Sequence, residues 1–191
     1  MSGIYKEDLE FLGLDAVATP LAEATYDNCI FKNGLFGNSS LSNINFVDCS
    51  FIECSFDQTN LNNTNFNGVT FQNCQFRTLD FYYCNKFLFD ANFSDSKLHY
   101  CSFWKMNLKK ICFSKSELKE CDFTEADLTE ALFENCDLQR SIFERTNLTK
   151  TNFETAFHLS LDPDKNTLKK TVFSDQNIAG LLTKYDLIIK K

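Results

Sequence analysis

The chain has 191 residues, 43% hydrophobic and 24% charged, enough for one sizeable core and short for two ordinary domains. Its 21 phenylalanines against 6 glycines and 2 prolines exclude a disordered or collagenous chain, which has little apolar surface to bury. A net charge of −7 disfavours direct binding to a nucleic-acid backbone, which needs clustered Lys and Arg, and points any charge-driven partner toward a basic surface.

The first residues, Met1-Ser2-Gly3-Ile4-Tyr5-Lys6, lack a basic stretch followed by an apolar run, and no segment offers eighteen uninterrupted apolar residues. The expectation is a cytoplasmic protein that does not enter a membrane. Nine cysteines, an odd number in a chain of this size, read as reduced thiols and not as a disulfide framework. Residues 1–20, ending at Pro20, form the expected N-terminal cap.

From Tyr26 a large apolar residue recurs every fifth position: Phe31, Phe36, Leu41, Phe46, Phe51, Phe56, Leu61, Phe66, Phe71, Phe76 and Phe81. After Tyr82-Tyr83-Cys84-Asn85-Lys86-Phe87, which adds two residues and reads as a corner bulge, the series resumes at Leu88 and runs in strict Leu/Phe alternation to Phe153. A period of five fits neither the 3.6 of a helix nor the 2 of a strand, so only a coil that turns a corner at every unit keeps these side chains together. Two residues before each stands a mostly small or apolar one, among them Cys29, Cys49, Cys54, Cys74, Cys101, Cys121, Ala126, Ala131 and Cys136. These two positions point inward, and the other three, rich in Asn, Asp, Glu, Lys and Thr, face water.

Units such as Cys121-Asp122-Phe123-Thr124-Glu125 and Ala126-Asp127-Leu128-Thr129-Glu130 resemble the pentapeptide-repeat family over residues 24–155. The resemblance implies an all-β fold, a right-handed quadrilateral parallel β-helix of four units per coil, here with the β-helix spanning 21–157. The strict alternation after Leu88 would then place like residues on opposite walls, and cysteines twenty apart would stack.

Past the repeats, Asp162-Pro163 and Lys165-Asn166 form a turn, and Leu168 and Phe173 fall back into register as a partial coil. Ser174 is a plausible N-cap for an amphipathic α-helix to Lys184, with Ile178, Leu181, Leu182 and Tyr185 on one face, followed by a short strand at Leu187, Ile188 and Ile189. A stack of coils needs both ends covered, so residues 158–191 are expected as partial coil, helical cap and dimerisation segment. A repeat rod closed by such a segment resembles the quinolone-resistance (Qnr) branch of the family. That resemblance implies a homodimer joined through the C-terminal helices, acting as a mimic of duplex DNA that binds a type II topoisomerase such as DNA gyrase.

His99 and His158 lie 59 residues apart and the cysteines fill inward slots, so no metal or cofactor site emerges, and nothing in the spacing suggests an enzyme. Two surface features stand out. Glu117, Glu120, Asp122, Glu125, Asp127, Glu130, Glu134 and Asp137 are opposed within their stretch by Lys119 alone, and form either a partner-binding belt or a solvated face. Tyr82, Tyr83, His99, Tyr100 and Trp104 occupy outward or corner positions near the bulge, and read either as an interface anchor or as a cover for it. The competing functional reading is a scaffold module with an unrelated protein partner.

Overall fold

The computed structural model describes residues 4–185 together with Leu187 and Ile188. Strand β1 (Ile4–Glu7) is followed by β2 (Glu10–Leu12), and each pairs in parallel with the strand twenty residues on, β3 (Ala24–Asp27) and β4 (Ile30–Lys32). The offset stays at twenty through Phe46↔Phe66 and Phe51↔Phe71, becomes twenty-two across the bulge at Phe71↔Phe93, and returns to twenty at Phe93↔Phe113. Every strand therefore lies above its counterpart in the preceding coil, and the chain climbs as a four-walled parallel β-helix. One wall is a seven-stranded sheet, two are shorter sheets, and the fourth is a ladder of isolated bridges running Asp80↔Ser102↔Asp122↔Ile142.

Residues 4–20, expected as a separate cap, instead make the first coil, because Phe11 and Leu14 keep the five-residue pattern well enough to pack on the core. The ladder thus starts at Ile4, and β1 and β2 are its terminal strands.

The wall built on the seven-stranded sheet carries Phe11, Phe31, Phe51, Phe71, Phe93, Phe113, Phe133, Phe153 and Phe173 in one stack. Adjacent ring centroids are 4.6–5.8 Å apart. After the bulge Phe103, Phe123 and Phe143 stack on the opposite wall, 5.1 Å apart, and meet the first stack edge to face. Leu98, Leu118 and Leu138 and, opposite them, Leu108, Leu128 and Leu148 fill the remaining two walls, all buried. Offset and edge-to-face pairs contribute roughly 0.5–1.5 kcal/mol each beyond area burial, so the stack reinforces register as well as burying surface. With about 4.8 Å between strands, nine levels give a rod of about 38 Å.

The small inward slot is chemically specific. Cys49 Sγ donates to the Tyr26 carbonyl, Cys74 Sγ to Phe51, Thr64 Oγ1 to Leu41 and Thr146 Oγ1 to Phe123, each 23 residues back. Thiols and hydroxyls suit this slot because they fill a methyl-sized space and donate a hydrogen bond to the coil beneath. Burial pushes the Cys49 and Cys136 thiols up to about 12. Cys112 alone is only half-buried, on an outward position, while the other eight are buried. One thiol should therefore react with Ellman's reagent in the native protein and the rest only on unfolding; rapid native labelling of two or more would contradict the inward assignment.

The expected C-terminal α-helix is not formed. Residues Ile178–Leu181 and Thr183–Tyr185 are short 3-10 turns laid across the last coil. The Asn177 amide donates to the Phe153 and Ala156 carbonyls, at 2.6 and 3.0 Å, and the Gly180 carbonyl accepts from Leu161 N–H. The segment spends its polar groups on the coil end, and that docking competes with α-helical bonding. Leu181 packs half-buried on the chain's own core, whereas Ile178, Leu182, Tyr185, Leu187 and Ile188 are exposed. Ile189 lies outside the described residues.

Candidate functional site

The acidic stretch winds once around the rod, and the 20-residue stacking sets what faces each carboxylate. Glu125 sits at a corner between Lys105 (3.4 Å) one coil below and Arg145 (2.9 Å) one coil above. Glu130 meets Lys150 at 2.6 Å, Asp127 meets Lys109 at 3.4 Å and Glu120 meets Arg140 at 3.5 Å. Lys119 bridges Glu117 and Asp137, with His99 on the former and His158 Nδ1 on the latter at 2.8 Å. Six of the eight belt carboxylates thus carry an ion pair, and only Asp122 and Glu134 have none among the described residues. Asp137 is buried, 8% exposed, and so takes part as a structural group.

These pairs hold their acids ionised. The Lys119 hydrogen bond lowers the Glu117 pKa, the Arg145 hydrogen bond that of Glu125, and the Lys150 hydrogen bond that of Glu130. A depressed folded-state pKa contributes stability that is present above the unfolded value, about 4.3 for Glu, and is lost as pH falls through the folded value. Stability should therefore hold from neutral pH down to about 5 and decline below about 4.3. A Glu117→Gln, Glu125→Gln, Glu130→Gln triple variant should show a shallower decline in urea midpoints; an identical acid profile would remove these pairs from the account.

The aromatic group divides. Tyr82 and Trp104 stand on successive levels of the bridge-ladder wall with ring centroids 4.8 Å apart, and Tyr83 meets Tyr82 edge to face at 5.8 Å. The Lys86 ammonium lies over the Tyr82 ring at 3.1 Å, and the Lys105 ammonium over Trp104 at 4.3 Å. His99 is on the neighbouring wall, within the Lys119 network, and Tyr100 is at the corner between the two walls, half in solvent. The structure therefore joins Tyr82, Tyr83 and Trp104, and leaves His99 and Tyr100 on another edge.

Phe87, not singled out by its position in the sequence, is the most exposed large residue here at 91%. It lies in the short turn Lys86–Leu88 that accommodates the two extra residues, so the insertion itself was its signal. Beside this corner runs an open groove of about 480 Å³ lined by Gln58, Asn60, Asn62, Thr78, Asp80 and Tyr83. A second cleft, of about 870 Å³, separates the C-terminal segment from the last repeats near His158 and Asn177. Among the described residues no helix is long and apolar enough to cross a membrane, and no group of three or more metal-ligating side chains converges.

A family model for a pentapeptide repeat region matches residues 24–87, and a model for pentapeptide repeats in eight copies matches residues 116–154. None of the curated proteins matches the sequence. Among solved structures, a trypsin-treated variant of QnrB1, a plasmid-mediated fluoroquinolone resistance protein, is 18% identical over 100% of this chain and 93% of that one, with a TM-score of 0.54. Another trypsin-treated QnrB1 variant is 18% identical over 97% of this chain and 100% of that one, with a TM-score of 0.50. At that identity the likeness establishes a shared fold.

Proposed function

The chain belongs to the pentapeptide-repeat family, and from that premise we propose that it is a non-enzymatic rod whose outer face binds another protein, the target being a type II topoisomerase, DNA gyrase, and the consequence protection against quinolones. The observation that carries the binding role is the outward cluster of half-buried Tyr82 and Trp104 with exposed Tyr83, next to the turn that presents exposed Phe87, on a rod whose other aromatic side chains are mostly interior. Exposed Tyr and Trp are the residues that anchor protein interfaces. The topoisomerase target takes its support from the whole-length fold likeness to a fluoroquinolone resistance protein.

The proposal includes a homodimer in the cytoplasm, joined at the C-terminal end through Ile178, Leu182, Tyr185, Leu187 and Ile188, exposed apolar side chains that a second copy would cover. Sedimentation of an Ile178→Glu, Leu182→Glu variant should report monomer where the wild type reports dimer; a wild type that is already monomeric at micromolar concentration rules the dimer out.

A scaffold with an unrelated partner is favoured by a different observation, the ion pairing of six belt carboxylates, which leaves few charges free to stand in for phosphates. Gyrase supercoiling with and without ciprofloxacin, titrated with this protein, separates the two readings. The topoisomerase reading expects dose-dependent change in supercoiling and relief from the drug; unchanged supercoiling and unchanged DNA binding by gyrase support the scaffold.

A further inference from the structure

The bridge-ladder wall contains one interior fault. Below it Leu41 N–H bonds to the Asn60 carbonyl and Asn60 N–H to Ser39, both at 2.9 Å; above it Phe81 N–H bonds to Ser102 and Ser102 N–H to Leu79, again at 2.9 Å. Continued through the intervening level, this pattern would pair Leu61 N–H with the Asp80 carbonyl and Asp80 N–H with the Thr59 carbonyl. Neither rung is present among the described residues, and the bridge series Ser40↔Asn60 does not extend to Asp80.

The cause lies in the bulge. The 3-10 turn Phe81–Tyr83 advances the chain by one residue, so that Asn63 N–H finds the Tyr83 carbonyl, 20 residues on, where Asn43 one level below finds Asn62, 19 residues on. The groove lies at this fault, with Leu61, Asp80 and Tyr83 among its lining residues.

The two missing rungs leave the Leu61 and Asp80 N–H groups and the Asp80 and Thr59 carbonyls unpaired among the described residues, and a single carboxylate stands beside them. Asp80 uses Oδ1 to cap the turn by accepting from Tyr82 N–H, leaving Oδ2 without an intramolecular bond, and the Thr59 carbonyl lacks its rung. Gln58, Asn60 and Asn62 bring side-chain amides, which both donate and accept, and Asp80 and Tyr83 are the only titratable side chains in the lining. Of the three clustered outward rings, Tyr82 and Trp104 each carry a lysine ammonium, and Tyr83 carries no cation among the described residues.

Resting on the protein-binding reading, we infer that the groove receives the guanidinium of an arginine side chain on the partner protein. The guanidinium presents five N–H donors in a plane, matches a carboxylate with flanking carbonyls, and stacks on an aromatic face, which a lysine ammonium or a neutral amide does only in part. Asp80 makes an acidic partner segment unfavourable at the same place.

The test is a backbone-amide NMR titration of the full chain with acetyl-Gly-Arg-Gly-amide, and with the same peptide carrying lysine or citrulline. The arginine peptide should shift the Leu61, Asp80 and Tyr83 amides, at least fivefold more tightly than lysine, with no localised shift from citrulline. Asp80→Asn, which retains the oxygen that caps the turn, and Tyr83→Ala should each weaken the response tenfold or more while urea midpoints stay near wild type. Absence of localised shifts with the arginine peptide, an equal response to lysine or citrulline, or full response in both variants would overturn the assignment. Because the titration contains no partner protein, the groove can fail while the topoisomerase reading stands, and the supercoiling assay can fail while the groove stands.

Discussion

Phe123→Ala should lower the unfolding free energy by about 3 to 5 kcal/mol, the range for removing a large aromatic side chain from a close-packed core. Phe123 is fully buried, stacks on Phe103 and Phe143 at 5.1 Å each, and meets Phe113 and Phe133 edge to face at 6.2 and 5.9 Å. Its removal opens a gap that the neighbours cannot close without breaking the 20-residue register, because each is fixed by backbone bonds to the coils above and below. Thr146 Oγ1 also donates to the Phe123 carbonyl, so a collapse of the backbone toward the gap would strain that bond. A urea midpoint unchanged from wild type would show that the stack does not hold the rod together. A solenoid with only nearest-neighbour interfaces could instead lose cooperativity; a shallower transition with two probes out of step would locate the break at this coil.

The repeat made most of the fold legible. A period of five demands a corner in every unit, and the Leu/Phe alternation after Leu88 placed the two phenylalanine walls correctly. What the repeat hid is the corner conformation. Residues two after most central positions have positive φ, from Asn28 at 49° through Glu53, Lys110 and Arg145, and from Lys105 to Lys150 all of these but Asn135 are Lys, Glu or Arg. That conformation costs an ordinary L-residue roughly 1–2 kcal/mol. The same corners stack into Lys105–Glu125–Arg145 and pair Glu130 with Lys150, and such solvent-screened ion pairs offset only part of it.

Those columns were available in the sequence, since aligning it in rows of twenty sets opposite charges above one another. Read in a line, Glu117 to Asp137 is an acidic block broken by Lys119 alone; read on the cylinder, it is the middle rung of a mixed ladder. The candidate aromatic site was legible where residues twenty or twenty-two apart share a wall, as Tyr82 and Trp104 do, and failed for His99 because one residue past a central position on the preceding unit is already a different wall. The missing rung beside Asp80 depends on a one-residue slip that no composition or period encodes. The open first coil was missed for the opposite reason: Leu9, Leu12 and Val17 leave the pattern too weak to follow, although the backbone pairs of β1 and β2 are regular.

The C-terminal segment is where local propensity and tertiary contact conflict, and Gly180→Ala tests which controls it. The spacing of Ile178, Leu181, Leu182 and Tyr185 suits a helix, and alanine at 180 would raise helix propensity by about 1 kcal/mol over glycine. In the docked segment, however, a Cβ on residue 180 would stand 1.9 Å from the Leu159 carbonyl oxygen, a backbone atom that cannot turn aside. The substitution should therefore release the segment from the last coil. That would leave the Phe153 and Ala156 carbonyls without the Asn177 amide and uncover Leu159 and Leu161, now 5% and 4% exposed. Two lost hydrogen bonds at about 1 kcal/mol each, with the apolar surface newly exposed, amount to about 2 to 4 kcal/mol. Circular dichroism should show no loss of helix, or a small gain, while limited trypsin digestion cuts at Lys184 and Lys169 much faster than in the wild type. If the dimer forms through this end, Gly180→Ala should also weaken it without touching any exposed apolar side chain, since those side chains are presented by the docked turns. Wild-type protease resistance together with an unchanged urea midpoint would mean that the close approach of residue 180 to Leu159 does not hold in solution. The segment would then be governed by its helical pattern after all.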